Sequence, residues 1–78
     1  MLTEGEIFRA IGAAIDVPDF DLTSTSENTE NWDSLGILSI VSTLSKLTNG
    51  RTDKIPEIVT IESASQLAEI LRLHGLLE

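Results

Sequence analysis

Ser34 lies in Asp33-Ser34-Leu35, where an acidic polar loop gives way to an apolar, helix-patterned run. Asp and Ser are both favoured helix N-cap residues, and an apolar, helix-patterned run follows them, so the sequence predicts a helix beginning here. On its own this motif is weak evidence for a function, because most such serines only cap a helix.

Leu35 gives this stretch its second unusual feature. At about 100° per residue, the apolar residues that follow define a core arc roughly 120° wide: Ile37, Ile40, Val41, Leu44 and Leu47. Leu35 lies about 180° from the centre of that arc, on the side that also carries Ser39, Ser42 and Lys46. A large apolar side chain away from the core and beside a hydroxyl suggests a docking surface more than a packing need.

The sequence gives little support for an enzyme. A Ser-His-Asp arrangement would need Ser34 and His74 to meet, and nothing in the sequence brings them together. The acidic residues of the first loop lack the spacing of a calcium-binding loop, and phosphate-cradling glycine patterns are absent. The chain has no cysteine, hence no thiolate metal site and no protein thiol for catalysis. The sequence therefore predicts neither an enzyme nor a metal protein.

Length and charge set further limits. Seventy-eight residues make one domain, residues 1–78, with room for a single core. The net charge of -8, from 13 acidic and 5 basic residues, argues against nucleic acid and favours positively charged protein partners. The first residues lack the pattern of a signal peptide, and no apolar run approaches the ~20 residues that span a bilayer. We therefore expect a cytoplasmic protein without membrane insertion.

The remaining elements are helices joined by loops. Thr3 and Glu6 form a capping box that opens the first helix, which ends at 16–19. Its buried face is predicted to contain Ile7, Phe8, Ile11, Ala14 and Ile15. A loop follows over 16–33, too long to be a simple connection, and we expect four side chains to anchor it as an ordered crossing: Val17, Phe20, Leu22 and Trp32. Trp32 is expected to plug the junction with the second helix; its alternative is a direct partner contact.

The second helix is predicted from Ser34 to Leu47 or Thr48, with Asn49-Gly50 as its stop. Pro56 then starts one short helix, which we prefer to a lone strand over residues 58–61. Ser63 and Gln66 repeat the capping-box form and open the last helix, where Leu67, Ile70, Leu71 and His74 share a face. These elements predict an all-α fold, a small up-and-down bundle of three main helices plus one short helix.

This pattern resembles the acyl carrier proteins and the wider family of phosphopantetheine-bearing carriers. The resemblance spans nearly the whole chain: its size and acidity, the long first loop, Asp33-Ser34-Leu35 at the start of helix two, and a short helix before the last. It implies that Ser34 carries covalent 4′-phosphopantetheine, whose thiol holds acyl intermediates as thioesters. It also implies a monomer whose partners are a phosphopantetheinyl transferase and acyl-loading and acyl-transfer enzymes, contacted through Asp33 and Leu35.

One departure from the family bears on the pathway. Carriers for fatty-acid synthesis usually display glutamates along helix two, where this chain has Ser39, Ser42 and Lys46. We therefore expect a specialised carrier with dedicated enzymes, and count Ser39 and Lys46 among its partner-binding residues. Two alternatives stay open: an aminoacyl or peptidyl carrier, and an unmodified helical adaptor that docks through Leu35 and keeps Ser34 only as a cap.

Overall fold

The computed structural model describes residues 2–78, which contain three α-helices and two 3-10 helices. The α-helices are α1 (Glu4–Ile15), α2 (Ser34–Leu47) and α3 (Ala64–Leu73), and the 3-10 helices, Arg51–Lys54 and Pro56–Thr60, lie between α2 and α3. Residues 2–78 contain no β-strand beyond two isolated bridges. The predicted all-α bundle is confirmed. The segment predicted to hold one short helix holds two, and the second begins at Pro56 as predicted.

Side-chain caps determine where α1 and α3 begin. The Thr3 hydroxyl accepts the Glu6 N–H at 3.2 Å, and the Glu6 carboxylate accepts the Thr3 N–H at 3.0 Å, which confirms the first capping box. The Ser63 hydroxyl likewise accepts the N–H of Gln66. The second box is only half correct, because the Gln66 side chain accepts the N–H of Glu62 and not that of Ser63.

All three helices and the second 3-10 helix contribute to one hydrophobic core, in which Ile7, Ile11, Leu44, Leu67 and Leu71 are completely buried. The buried face of α1 differs from the prediction at Ala14, which is exposed. Gly12, about 200° away from Ala14 around the helix, is buried because the loop after α1 packs on its side. A Cβ at Gly12 would lie 2.5 Å from the Val17 carbonyl oxygen.

The loop between α1 and α2 is an ordered crossing, held by aromatic packing. Phe20 contacts both Phe8 and Trp32, with ring centroids 5.7 Å apart in each pair, a spacing typical of favourable aromatic pairs. Trp32 is only 7% exposed, which supports its predicted role as a plug at the start of α2. Leu22 was wrongly predicted to be an anchor: it is 46% exposed, because the loop places it at the surface beside Ala68 and Glu69 of α3 and outside the core.

The end of the chain folds back onto its beginning. Leu77 is buried and pairs with Leu2 in an isolated bridge, and the Glu78 N–H donates to the Leu2 carbonyl at 2.9 Å. His74 is exposed and is the C-cap residue of α3. None of the helices in the described chain combines the length and hydrophobicity that crossing a membrane requires.

Candidate functional site

Asp33, and not Ser34, caps α2. Its backbone is extended, and its side-chain Oδ1 accepts the Gly36 N–H at 3.0 Å. Its carbonyl accepts the Ile37 N–H at 2.8 Å. Asp and Ser are both favoured N-cap residues, but because Asp33 occupies the N-cap position, Ser34 is the first residue inside the helix. The capping explanation for Ser34 is therefore wrong.

The Ser34 side chain is exposed to solvent. Within residues 2–78 its hydroxyl has no hydrogen-bond partner, and no acceptor is found for the N–H groups of Ser34 and Leu35. Free N–H groups in the first turn, together with the helix dipole, stabilise an anion. The site thus combines an accessible hydroxyl with donors suited to a phosphodiester on that hydroxyl.

Asn31 and Gly36 hold this helix start in place. Asn31 adopts the left-handed conformation (φ 65°), which Asn tolerates better than most residues, and its Nδ2 donates to the Ile15 carbonyl at 2.8 Å. This bond fastens the loop to the end of α1. The Asn31 carbonyl then lies so close to Gly36 that an added Cβ would be 1.8 Å from its oxygen. Because Gly36 has no side chain, the loop can pack directly against the first turn of α2.

Gly36→Ala is expected to destabilise the protein by about 1–3 kcal/mol, because the clash is with backbone and must displace Asn31. That penalty exceeds the gain in helix propensity of up to ~1 kcal/mol that alanine normally brings. Urea unfolding of the variant measures the change.

Gly5→Ala is the matched control. In the first turn of α1 the added Cβ meets only the Thr3 hydroxyl oxygen, at 3.9 Å, so the same substitution should be neutral or stabilising. Equal effects in the two variants would contradict the close approach at Gly36.

The outer face of α2 is apolar near Ser34 and hydroxyl-rich beyond it. Leu35 is 76% exposed, and Ser42 and Lys46 are also exposed, as predicted, while Ser39 is half-buried. Leu38, 65% exposed, was missed. The same rotation of 100° per residue would have found it, since it places Leu38 about 60° from Leu35 and outside the core arc. Two exposed leucines thus lie in the first two turns after Ser34.

Negative charge lies beside this face and not along it. Six acidic residues and no basic ones occur over 16–33, whereas Lys46 is the sole charged residue of α2. In this loop the Thr23 hydroxyl and N–H donate to the Asp21 carboxylate, and these hydrogen bonds lower the pKa of Asp21. The carboxylate is thereby kept ionised to lower pH, and the turn it stabilises weakens only as pH falls through the lowered pKa.

Other catalytic or metal-binding arrangements do not emerge from the described residues. His74 terminates α3, where its backbone N–H donates to the Ile70 carbonyl. Across residues 2–78 no three His, Asp or Glu side chains are grouped as ligands for a metal ion. Comparisons with protein-family models, with curated proteins and with solved structures found no match to this chain.

Proposed function

We propose that this chain is a discrete acyl carrier protein, with 4′-phosphopantetheine attached to Ser34. The observation that carries the proposal is the Ser34 hydroxyl: it is exposed, makes no hydrogen bond within residues 2–78, and is not needed as a cap because Asp33 occupies that position.

The residues present fit the phosphopantetheine group. The free N–H groups of Ser34 and Leu35 suit the phosphodiester, and the exposed position leaves room for a transferase to reach the hydroxyl. When bound, the arm supplies the thiol that a cysteine-free chain lacks, and acyl groups are carried on it as thioesters. During attachment the Ser34 oxygen bonds to the phosphorus of coenzyme A nearer the pantetheine, 3′,5′-ADP leaves, and the hydroxyl proton passes to the transferase.

Partner enzymes would approach over the outer face of α2. Leu35 and Leu38 provide the apolar contact next to Ser34, and Asp33 provides the acidic group that basic enzyme surfaces recognise. Ser39 and Lys46 extend the contact toward the end of the helix, where a fatty-acid synthesis carrier would present glutamates. This face supports a specialised acyl carrier with its own enzymes, and an aminoacyl or peptidyl cargo is the alternative within the same chemistry.

The test is intact mass analysis after incubation with coenzyme A and a broad-specificity phosphopantetheinyl transferase. We expect a gain of one phosphopantetheine group, located on Ser34 by peptide fragmentation. Omitting coenzyme A is the control and should leave the mass unchanged. An unmodified chain, or a modification found on another serine, would contradict the proposal.

A helical adaptor without modification is the second candidate, and the exposure of Leu35 and Leu38 favours it. Both functions use the same face, but only the carrier requires the Ser34 hydroxyl. An adaptor would bind its partner with Ser34 replaced by Ala, whereas a carrier would lose its activity and remain folded.

A further inference from the structure

A shallow groove runs beside Ser34, between the end of α1 and the first two turns of α2. It is an open depression of about 290 Å³. Its walls come from three parts of the chain, namely the end of α1, the end of the loop and the start of α2: Ala14, Ile15, Asp16, Asn31, Asp33, Leu35, Gly36 and Ser39. The residues on both sides of Ser34 thus line the groove.

Ala14 has no role in the core that would explain its place here. It lies at the end of α1 with its side chain exposed, and its methyl group forms part of the groove wall opposite α2. Two contacts hold the walls of the groove together: the Asn31 side chain donates to the Ile15 carbonyl, and Gly36 lets the loop approach α2 closely. Its shape is therefore held by contacts within the fold.

The groove is lined by both aliphatic and polar groups. Ala14 and Leu35 offer aliphatic surface. The Ser39 hydroxyl is half-buried and has no hydrogen-bond partner within residues 2–78, and the Asn31 Oδ1 accepts no donor there because only its Nδ2 is used. The carboxylates of Asp16 and Asp33 also line the groove. Aliphatic walls with these oxygen acceptors match a chain that alternates methyl or methylene groups with secondary amides, whose N–H groups can donate to them.

We propose that this groove binds the pantetheine part of the arm attached to Ser34, an inference that rests on the proposed function. A covalent tether brings the arm to the groove at an effective concentration in the millimolar range, so that a weak, reversible affinity suffices. In the bound state the arm lies on the α1 side of α2, away from the outer face of Leu38. Partner enzymes then draw the arm out of the groove when they cover α2.

The test compares NMR spectra of isotope-labelled protein before and after loading by the transferase and coenzyme A. Ala14 and Ser39 are the reporters, because both line the groove and neither is within two residues of the modified Ser34. We expect the Ala14 methyl and Ser39 amide signals to shift, and the Ala14 methyl to show a nuclear Overhauser effect to the geminal methyl groups of the arm. Leu38 and Val59, both exposed and outside the groove wall, should stay unchanged.

A pair of variants separates occupation of the groove from indirect effects. Ala14→Phe fills the groove, whereas Ala13→Phe makes the same change at the neighbouring exposed position, which does not line it. The loading-induced shift of Ser39 should fall to less than half in Ala14→Phe and persist in Ala13→Phe. Circular dichroism of both variants checks that the helices are retained.

Each remaining outcome overturns the proposal in a distinguishable way. A protein that gains the mass of the arm but shows shifts only at residues 33–36 has a free arm. Shifts at Leu38 and Val59 without Ala14 place the arm on the other side of α2. A chain that gains no mass overturns the proposed function, and the groove proposal with it.

Discussion

Ser34→Ala is expected to abolish loading by the transferase and to leave the fold intact. In the proposed function this hydroxyl is the sole acceptor for the arm, so no modified protein should be detected by intact mass analysis. Stability should change by no more than about 0.5 kcal/mol, because Ser34 is exposed and makes no hydrogen bond within residues 2–78. Mass spectrometry and urea unfolding on the same samples measure the two effects together.

Two control variants sharpen this expectation. Asp33→Ala removes the side-chain cap and should lower the free energy of unfolding by about 1 kcal/mol. Ser65→Ala changes another exposed serine in the first turn of a helix, α3, and should load normally. Loading that survives Ser34→Ala would refute the site. A stability loss in Ser34→Ala as large as in Asp33→Ala would show that Ser34 has a structural role.

Leu35→Ala is expected to lower the kcat/KM of loading about 10- to 100-fold. Burying a leucine side chain in an interface contributes about 1.5–3 kcal/mol, and each ~1.4 kcal/mol is a tenfold change. Exposed ion pairs contribute only about 0–1 kcal/mol, so on a face with one charged residue the apolar contact should dominate. Steady-state kinetics with the transferase measure the loss.

Leu73→Ala provides a matched control for this variant. Leu73 is 78% exposed, close to the 76% of Leu35, but it lies on α3. Both substitutions should leave the unfolding free energy nearly unchanged, and only Leu35→Ala should slow loading. If the two variants lowered kcat/KM equally, or neither did, the outer face of α2 would not be the docking surface.

Local signals were sufficient for much of this fold. The bounds of α2 and the capping box of α1 were predicted correctly, because capping and helical periodicity depend on residues within a few positions of each other. The outward direction of Leu35 followed from the same 100° rotation. The two 3-10 helices were recognised only in part, since the prediction rested on Pro56 and the segment over 51–54 has no comparable start signal.

The errors arose where packing between distant segments decides. Gly12 is buried because the loop, rather than another helix, covers its side of α1, whereas Ala14, about 200° away around the helix, is exposed. Helical periodicity does not show what lies opposite a face. Leu22 was predicted to anchor the loop to the core because it is apolar. Its exposure instead depends on the path of the loop between Phe20 and Trp32. The hydrophobic effect favours the burial of apolar surface in general and does not by itself specify which apolar residues are buried.

The sequence by itself determined the class of the fold, the start of α2 at Asp33-Ser34 and the outward placement of Leu35, because these follow from short-range helix geometry. The tertiary structure alone decided that Asp33 caps the helix, that Ser34 is thereby left exposed and uncommitted, and that a groove lies beside it. The physical reason is a contact between segments distant in sequence. The Asn31 side chain donates to the Ile15 carbonyl at the end of α1, and the Asn31 carbonyl packs against Gly36 of α2. Together with the packing of α1 against α2 in the core, this contact between segments far apart in sequence forms the groove.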